Sequence, residues 1–250
     1  MEATIKGTTM QVLEVSLASG EEVISTHGEL SWMTPAINMS QTASTGASHG
    51  LMGALKRVAG GGGLLLTRYS AAGGAGMVAF AAKLPGHILE INLSTSGYLV
   101  HRHGWLCATP GVTPTVGFQQ NLGAALFGGD GFILERLEGS GTAWVELAGE
   151  TVQYELGAGE NLRVHPGHVG VFEENVGFQI TRVPGILNRH FGGDGYFLAS
   201  LTGPGKVWLQ SMPLPILAAS LTPYLGGGAP QAAAAGGIAG GLMGGILGGR

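Results

Sequence analysis

The stretch LFGGDGFILERLEGSGTAWVEL at 126–147 returns as HFGGDGYFLASLTGPGKVWLQS at 190–211, and ten of the 22 aligned positions are identical. A chain that repeats so long a phrase repeats a structural unit, so the repeat constrains the fold before any single residue does. A degenerate third copy, GGGGLLLTRYSAAGGAGMVAF, stands at 60–80 with a three-residue insertion. Upstream of the copies lie three more related stretches: VLEVSLASGEEVISTHGELSWMTPAIN at 12–38, ILEINLSTSGYLVHRHGWLCATPGV at 88–112 and VQYELGAGENLRVHPGHVGVFEENV at 152–176. Leu13, Val15 and Leu17 alternate with polar residues, as do Leu89, Ile91 and Leu93, and Val152, Tyr154 and Leu156. Period-two alternation predicts half-buried strands with these residues inside.

The chain therefore reads as three units, 12–80, 88–147 and 152–211, each a hairpin, a short helical turn and a second hairpin. The helical turns rest on the spacings Leu51-Leu55-Val58, Phe118-Leu122-Leu126 and Ile186-His190, each followed by glycines that can act as C-caps. The expected fold is mainly β, with one triplicated domain over 1–225 whose units hide each other's apolar faces. A unit of about 60 residues is marginal alone. Glycine, 47 of 250 residues, disfavours long helices. Gly128-Gly129-Asp130-Gly131 and Gly192-Gly193-Asp194-Gly195 read as structural turns. Their glycines supply positive φ and their aspartates can close Asx-turns. One carboxylate per loop is too few for calcium.

The run PGVTPTVGFQQNLGAALFGGDGFILERLEGSGTAWV, followed by LTGPGKVWLQSMPL, resembles the altered inheritance of mitochondria protein 24 family over about 12–217. The resemblance implies a mainly-β fold related to the tryptophan RNA-binding attenuation protein and near the double-stranded β-helix group. It implies no established enzyme activity and no catalytic motif. Mitochondrial members are associated with inner-membrane organisation and respiratory-complex assembly. The N-terminus MEATIKGTTMQVLEV has neither an apolar signal core nor an Arg-rich transit pattern, so the bacterial branch is expected.

Candidate chemistry is sparse. His101-x-His103 and Gly159-x5-His165-Pro166-Gly167-His168 loosely resemble the two cupin metal motifs, and ligands two apart on a strand share a face. The Glu expected four residues after His103 is Cys107, and Pro166 throws the second motif out of step. Turn histidines are the plainer reading; a cupin-like metal enzyme using His101, His103, His165 and His168 is the alternative. No cofactor is expected. Cys107, in WLCAT, reads as a core thiol. No Walker motif occurs. A net charge of −4 and no basic run beyond Lys56-Arg57 argue against nucleic acid.

The segment 226–250 is Gly/Ala-rich, and Gly236, Gly240, Gly244 and Gly248 recur every fourth residue. It reads as a flexible tail, with self-association or membrane contact through a small-residue helix face as the alternative. The expected function is non-enzymatic: a scaffold or assembly protein, homo-oligomeric through its sheet edges, meeting an unidentified protein partner. Its expected place is the cytoplasm or the inner face of the membrane.

Overall fold

A computed structural model describes residues 1–43, 65–94, 96–120, 122, 131–183, 196–221 and 224. Strand β1 (Glu2–Lys6) precedes three sets of six strands. The first set is β2 (Val12–Leu17), β3 (Glu22–Thr26), β4 (Trp32–Met33), β5 (Ile37–Ala43), β6 (Leu65–Ala71) and β7 (Gly76–Ala81). The second is β8 (Gly86–Leu93), β9 (Tyr98–His101), β10 (Trp105–Ala108), β11 (Val112–Gln120), β12 (Phe132–Gly139) and β13 (Gly141–Ala148). The third is β14 (Thr151–Leu156), β15 (Asn161–Val164), β16 (Val169–Glu173), β17 (Gly177–Val183), β18 (Tyr196–Thr202) and β19 (Gly205–Gln210). A 3-10 turn, Pro166–His168, precedes β16, and helix α1 (Leu214–Leu221) follows β19.

The three sets wind alike. In each, the first strand pairs with the sixth, as in β2·β7, β8·β13 and β14·β19. The third also pairs with the sixth, and the second and fourth pair with the fifth. This corrects the hairpin expectation. The glycine turns do not fold a strand back on its neighbour; they carry the chain to the facing sheet. Each unit is thus a small sandwich of strands 1-6-3 against strands 2-5-4, the winding of a shortened double-stranded β-helix.

Neighbouring units fuse by sharing sheets. The second strand of one unit pairs with the third strand of the next, in β3·β10 and β9·β16. The result is four sheets: β1-β2-β7-β4, then β5-β6-β3-β10-β13-β8, then β11-β12-β9-β16-β19-β14, then β15-β18-β17. Three apolar clusters lie between successive sheets. The first joins Leu13, Val15, Leu17 and Phe80 to Val23, Tyr69, Leu106, Cys107 and Trp144. The second joins Ile24, Ile91, Trp105 and Val145 to Val100, Leu137 and Val171. The third joins Leu99, Leu134 and Phe172 to Val164, Ile180, Ala199 and Leu201. Each buried Val, Leu, Ile or Phe among them contributes about 1.5–3 kcal/mol.

The second and third sheets are buried on both faces, so adjacent residues such as Val23 and Ile24, or Trp144 and Val145, serve different cores. Simple alternation holds for Leu13, Val15 and Leu17. It fails at β14, an edge strand, where Val152 and Tyr154 are exposed and only Leu156 is buried. Phe118, read above as the start of a helical turn, lies in β11 instead. Its ring packs edge-on against Phe132 and Phe178 at 6.2 and 5.0 Å, so an apolar spacing of four there serves a bulged strand. The other two helical spacings, Leu126 and the glycine-rich tail lie outside the described residues.

Candidate functional site

Where units 1 and 2 join, three carboxylates from distant parts of the chain surround one lysine. Glu29 follows β3, Glu135 is on β12 and Glu146 is on β13. Lys83, in the link from β7 to β8, places Nζ 2.6 Å from Glu29 Oε2 and 2.9 Å from Glu146 Oε1. Its backbone N–H also donates to Glu146 Oε2 at 2.8 Å. Glu146 thereby clamps the inter-unit link with both oxygens. Burial works to lower the Lys83 pKa, but hydrogen bonding and charge from Glu29 and Glu146 lift it above its ordinary value. Burial raises Glu29. Glu135 is pushed up to about 7, first by burial and then by the negative charge of Glu29. Near neutral pH it is therefore part-protonated.

His103 stands over this cluster with φ 67, the one non-glycine residue with positive φ among the described residues. Its N–H faces the Glu135 carboxyl and its carbonyl accepts from Lys83 Nζ at 3.3 Å. A backbone conformation that costs about 1–2 kcal/mol is thus held by bonds on both sides. The ring is exposed at the mouth of a cavity of about 440 Å³. Lys83, His101, Phe132, Gly167, Gln210 and Leu214 are among its lining residues. The cavity runs from the β9–β10 turn to helix α1.

The four histidines of the cupin-like pattern reach this neighbourhood without converging. His101 Nε2 donates to the carbonyl of Glu146 at 3.0 Å, and burial holds its pKa below the ordinary value. His168 Nδ1 donates to the carbonyl of Gln210 at 2.8 Å. His165 Nδ1 accepts from the Gly167 N–H at 3.3 Å, capping the 3-10 turn. The rings of His165 and His168 lie edge to face at 5.9 Å. The imidazoles thus tie turns to strands. Among the described residues no group of three or more His, Cys, Asp or Glu side chains is placed to hold a metal ion.

Cys107 is fully buried and burial pushes its thiol well above the ordinary range, which keeps the nucleophilic thiolate scarce. Gly131 takes φ 78. Gly128, Gly129, Asp130, Gly192, Gly193, Asp194, Gly195, Gly236, Gly240, Gly244 and Gly248 lie outside the described residues. No local motif in the sequence marks the carboxylate–lysine cluster. Its one sequence signal was an acid inside an apolar strand, Glu135 in FILERL and Glu146 in AWVELA.

The family profile described as Mitochondrial biogenesis AIM24 matches residues 3–212, a span that contains all three units and this junction. The chain belongs to that family. The AIM24 chain is 26% identical over 218 residues to an uncharacterized protein of Streptococcus pyogenes serotype M6, covering 86% of each. Its backbone matches the crystal structure of a Streptococcus pyogenes protein solved by a structural genomics consortium, with TM-score 0.72. That match has 21% identity and covers 90% of this chain and 99% of the other; it speaks to the AIM24 fold alone.

Proposed function

We propose that this chain is a non-enzymatic scaffold or assembly protein that works through protein–protein contact. The observation that carries the reading is helix α1 beside the cavity. Its sequence LPILAASL has no charge and no buried residue. Leu214 and Leu221 are exposed, and so is Tyr224 just beyond. Leu214 and Leu221, seven residues apart, share one face of the helix, and an exposed apolar face marks a contact surface. The polar groups at the cavity support the same reading, since Lys83, Glu146, His101 and Gln210 are engaged in bonds that hold units and turns. Self-association belongs to this reading through the helix face. Membrane contact through the tail concerns residues outside those described; no helix among the described residues is long and apolar enough to cross a membrane.

The test compares the full chain with Leu214→Asp/Leu221→Asp by cross-linking in cells followed by mass spectrometry. The variant should melt as the parent does and lose its cross-linked protein neighbours. An unchanged set of neighbours, or turnover of a substrate that His101→Ala abolishes, would contradict the proposal.

A further inference from the structure

Two internal joints show how this chain attaches one unit to the next. At each, a strand-2 residue sits opposite a strand-3 residue of the following unit: Ile24 opposite Ala108, and Leu99 opposite Phe172. Ile24 and Leu99 occupy the same place in their units, opposite Arg68 and Arg136 on the fifth strand. Ala108 and Phe172 likewise sit opposite Ala143 and Val207 on the sixth. All four joint residues are buried, Ile24 at 4% and Leu99 at 7% exposure, each in the core of the following unit.

Among the described residues the stack has one half of the same joint left at each end. Strand β15 is the outer strand of the fourth sheet and β4 of the first; among the described residues neither free edge has a partner strand. The residue opposite the fifth strand is Arg163, facing Ser200. The residue opposite the sixth strand is Met33, facing Val78. Met33 packs against the first core. A second copy could therefore seat its β4 on β15 in the internal register, with Arg163 opposite Met33. Such a head-to-tail contact does not close on itself by symmetry and propagates as a ring or a fibre.

We infer that Arg163 terminates the stack: it occupies the joint position with an exposed guanidinium, so that the complementary edges of β15 and β4 do not join two copies of this chain. Where the internal joints insert Ile24 or Leu99 into the next core, Arg163 would carry a charge into the apolar seam beside Met33. A buried unpaired charge disfavours that union. The rest of the outer face agrees. Asn161 Nδ2 donates to Ser200 Oγ at 2.5 Å and to Thr202 Oγ1 at 2.8 Å, an outward polar ladder. Terminal repeats with polar outer faces have this role in stacked repeat proteins.

The test is sedimentation velocity of the full chain across a hundredfold concentration range, with Arg163→Leu, Arg163→Val and Arg163→Lys. The Leu and Val variants should grow in mass with concentration, while the Lys variant matches the parent. Adding Trp32→Lys, at an exposed residue of β4, should return the Leu variant to the parent's mass. Circular dichroism establishes folding before each run. Folded Leu and Val variants that keep the parent's mass would overturn the inference. So would growth that Trp32→Lys leaves unchanged, or a parent assembly that Trp32→Lys dissolves.

Discussion

The two inner sheets and the two outer sheets are built from the same strands of the same unit, yet they carry different residues. At one position of the sixth strand, defined by its partners on the third, the inner sheets have Trp144 and Trp208 and the first sheet has Ala79. The tryptophans reach into the core of the preceding unit, whereas among the described residues no unit lies beyond the first sheet for Ala79 to reach. At one position of the second strand the inner sheets have Ile24 and Leu99 and the fourth sheet has Arg163. The difference teaches that an inner strand is read twice, once by each core it faces, and that the end units are trimmed where the second reader is missing.

The sharpest way to break this comparison is to truncate a tryptophan on each kind of sheet. Trp144→Ala should cost about 3–5 kcal/mol in urea denaturation, because the side chain is buried and its Nε1–H donates to Glu90 Oε2 at 3.1 Å. Trp32→Ala, on the first sheet and exposed, should stay within about 1 kcal/mol. Equal costs would mean that the first sheet has a covering partner in solution.

Next in size is the carboxylate cluster at the first inner joint. Because the folded pKa of Glu135 is raised to about 7, folding retains its proton between the unfolded pKa and about 7. Stability from this residue is full below about pH 4.5 and falls as pH rises through 7. Glu135→Gln should match the parent at pH 4 and gain up to about 3 kcal/mol by pH 8. A pH-independent difference would show that the carboxyl is not held in this environment.

A smaller effect is expected at the seam itself. Ser25 Oγ donates to the carbonyl of Leu106 at 2.5 Å across the β3·β10 joint, and both residues are buried. Ser25→Ala leaves that carbonyl short of a partner and should cost about 1–2 kcal/mol. The smallest change belongs to His103→Gly, which relieves φ 67 at some cost in chain entropy. Thermal melts should show between no change and a gain of about 1 kcal/mol. A loss larger than that would assign the ring a bond that the turn geometry does not supply.

Much of this architecture could be read from the repeated phrase. The units 12–80, 88–147 and 152–211 begin and end within a few residues of the strand sets, and Leu13, Val15 and Leu17 point inward as their alternation requires. Pairing could not be read in the same way. A glycine turn between two alternating runs fits a hairpin and a crossing between facing sheets equally well, because both reverse the chain. Val152 and Tyr154 share the pattern of Leu13 and Val15, but alternation does not say whether a second sheet lies over the strand. The candidate site was less legible. Glu29, Lys83, Glu135 and Glu146 come together only because strands of two units share one sheet, so no local motif records them. The histidines were visible, but only the observed carbonyl partners of His101 and His168 show where their ring hydrogens go.

Native-state hydrogen exchange, read strand by strand, bears most directly on three units fused through shared sheets. The amides of Leu106–Ala108 and Val171–Phe172 should exchange only through global unfolding, and with the same free energy in both joints. The terminal strands β4 and β15 should open well below it. One unit exchanging as an independent block, with its joint strand no better protected than the ends, would contradict the fused stack.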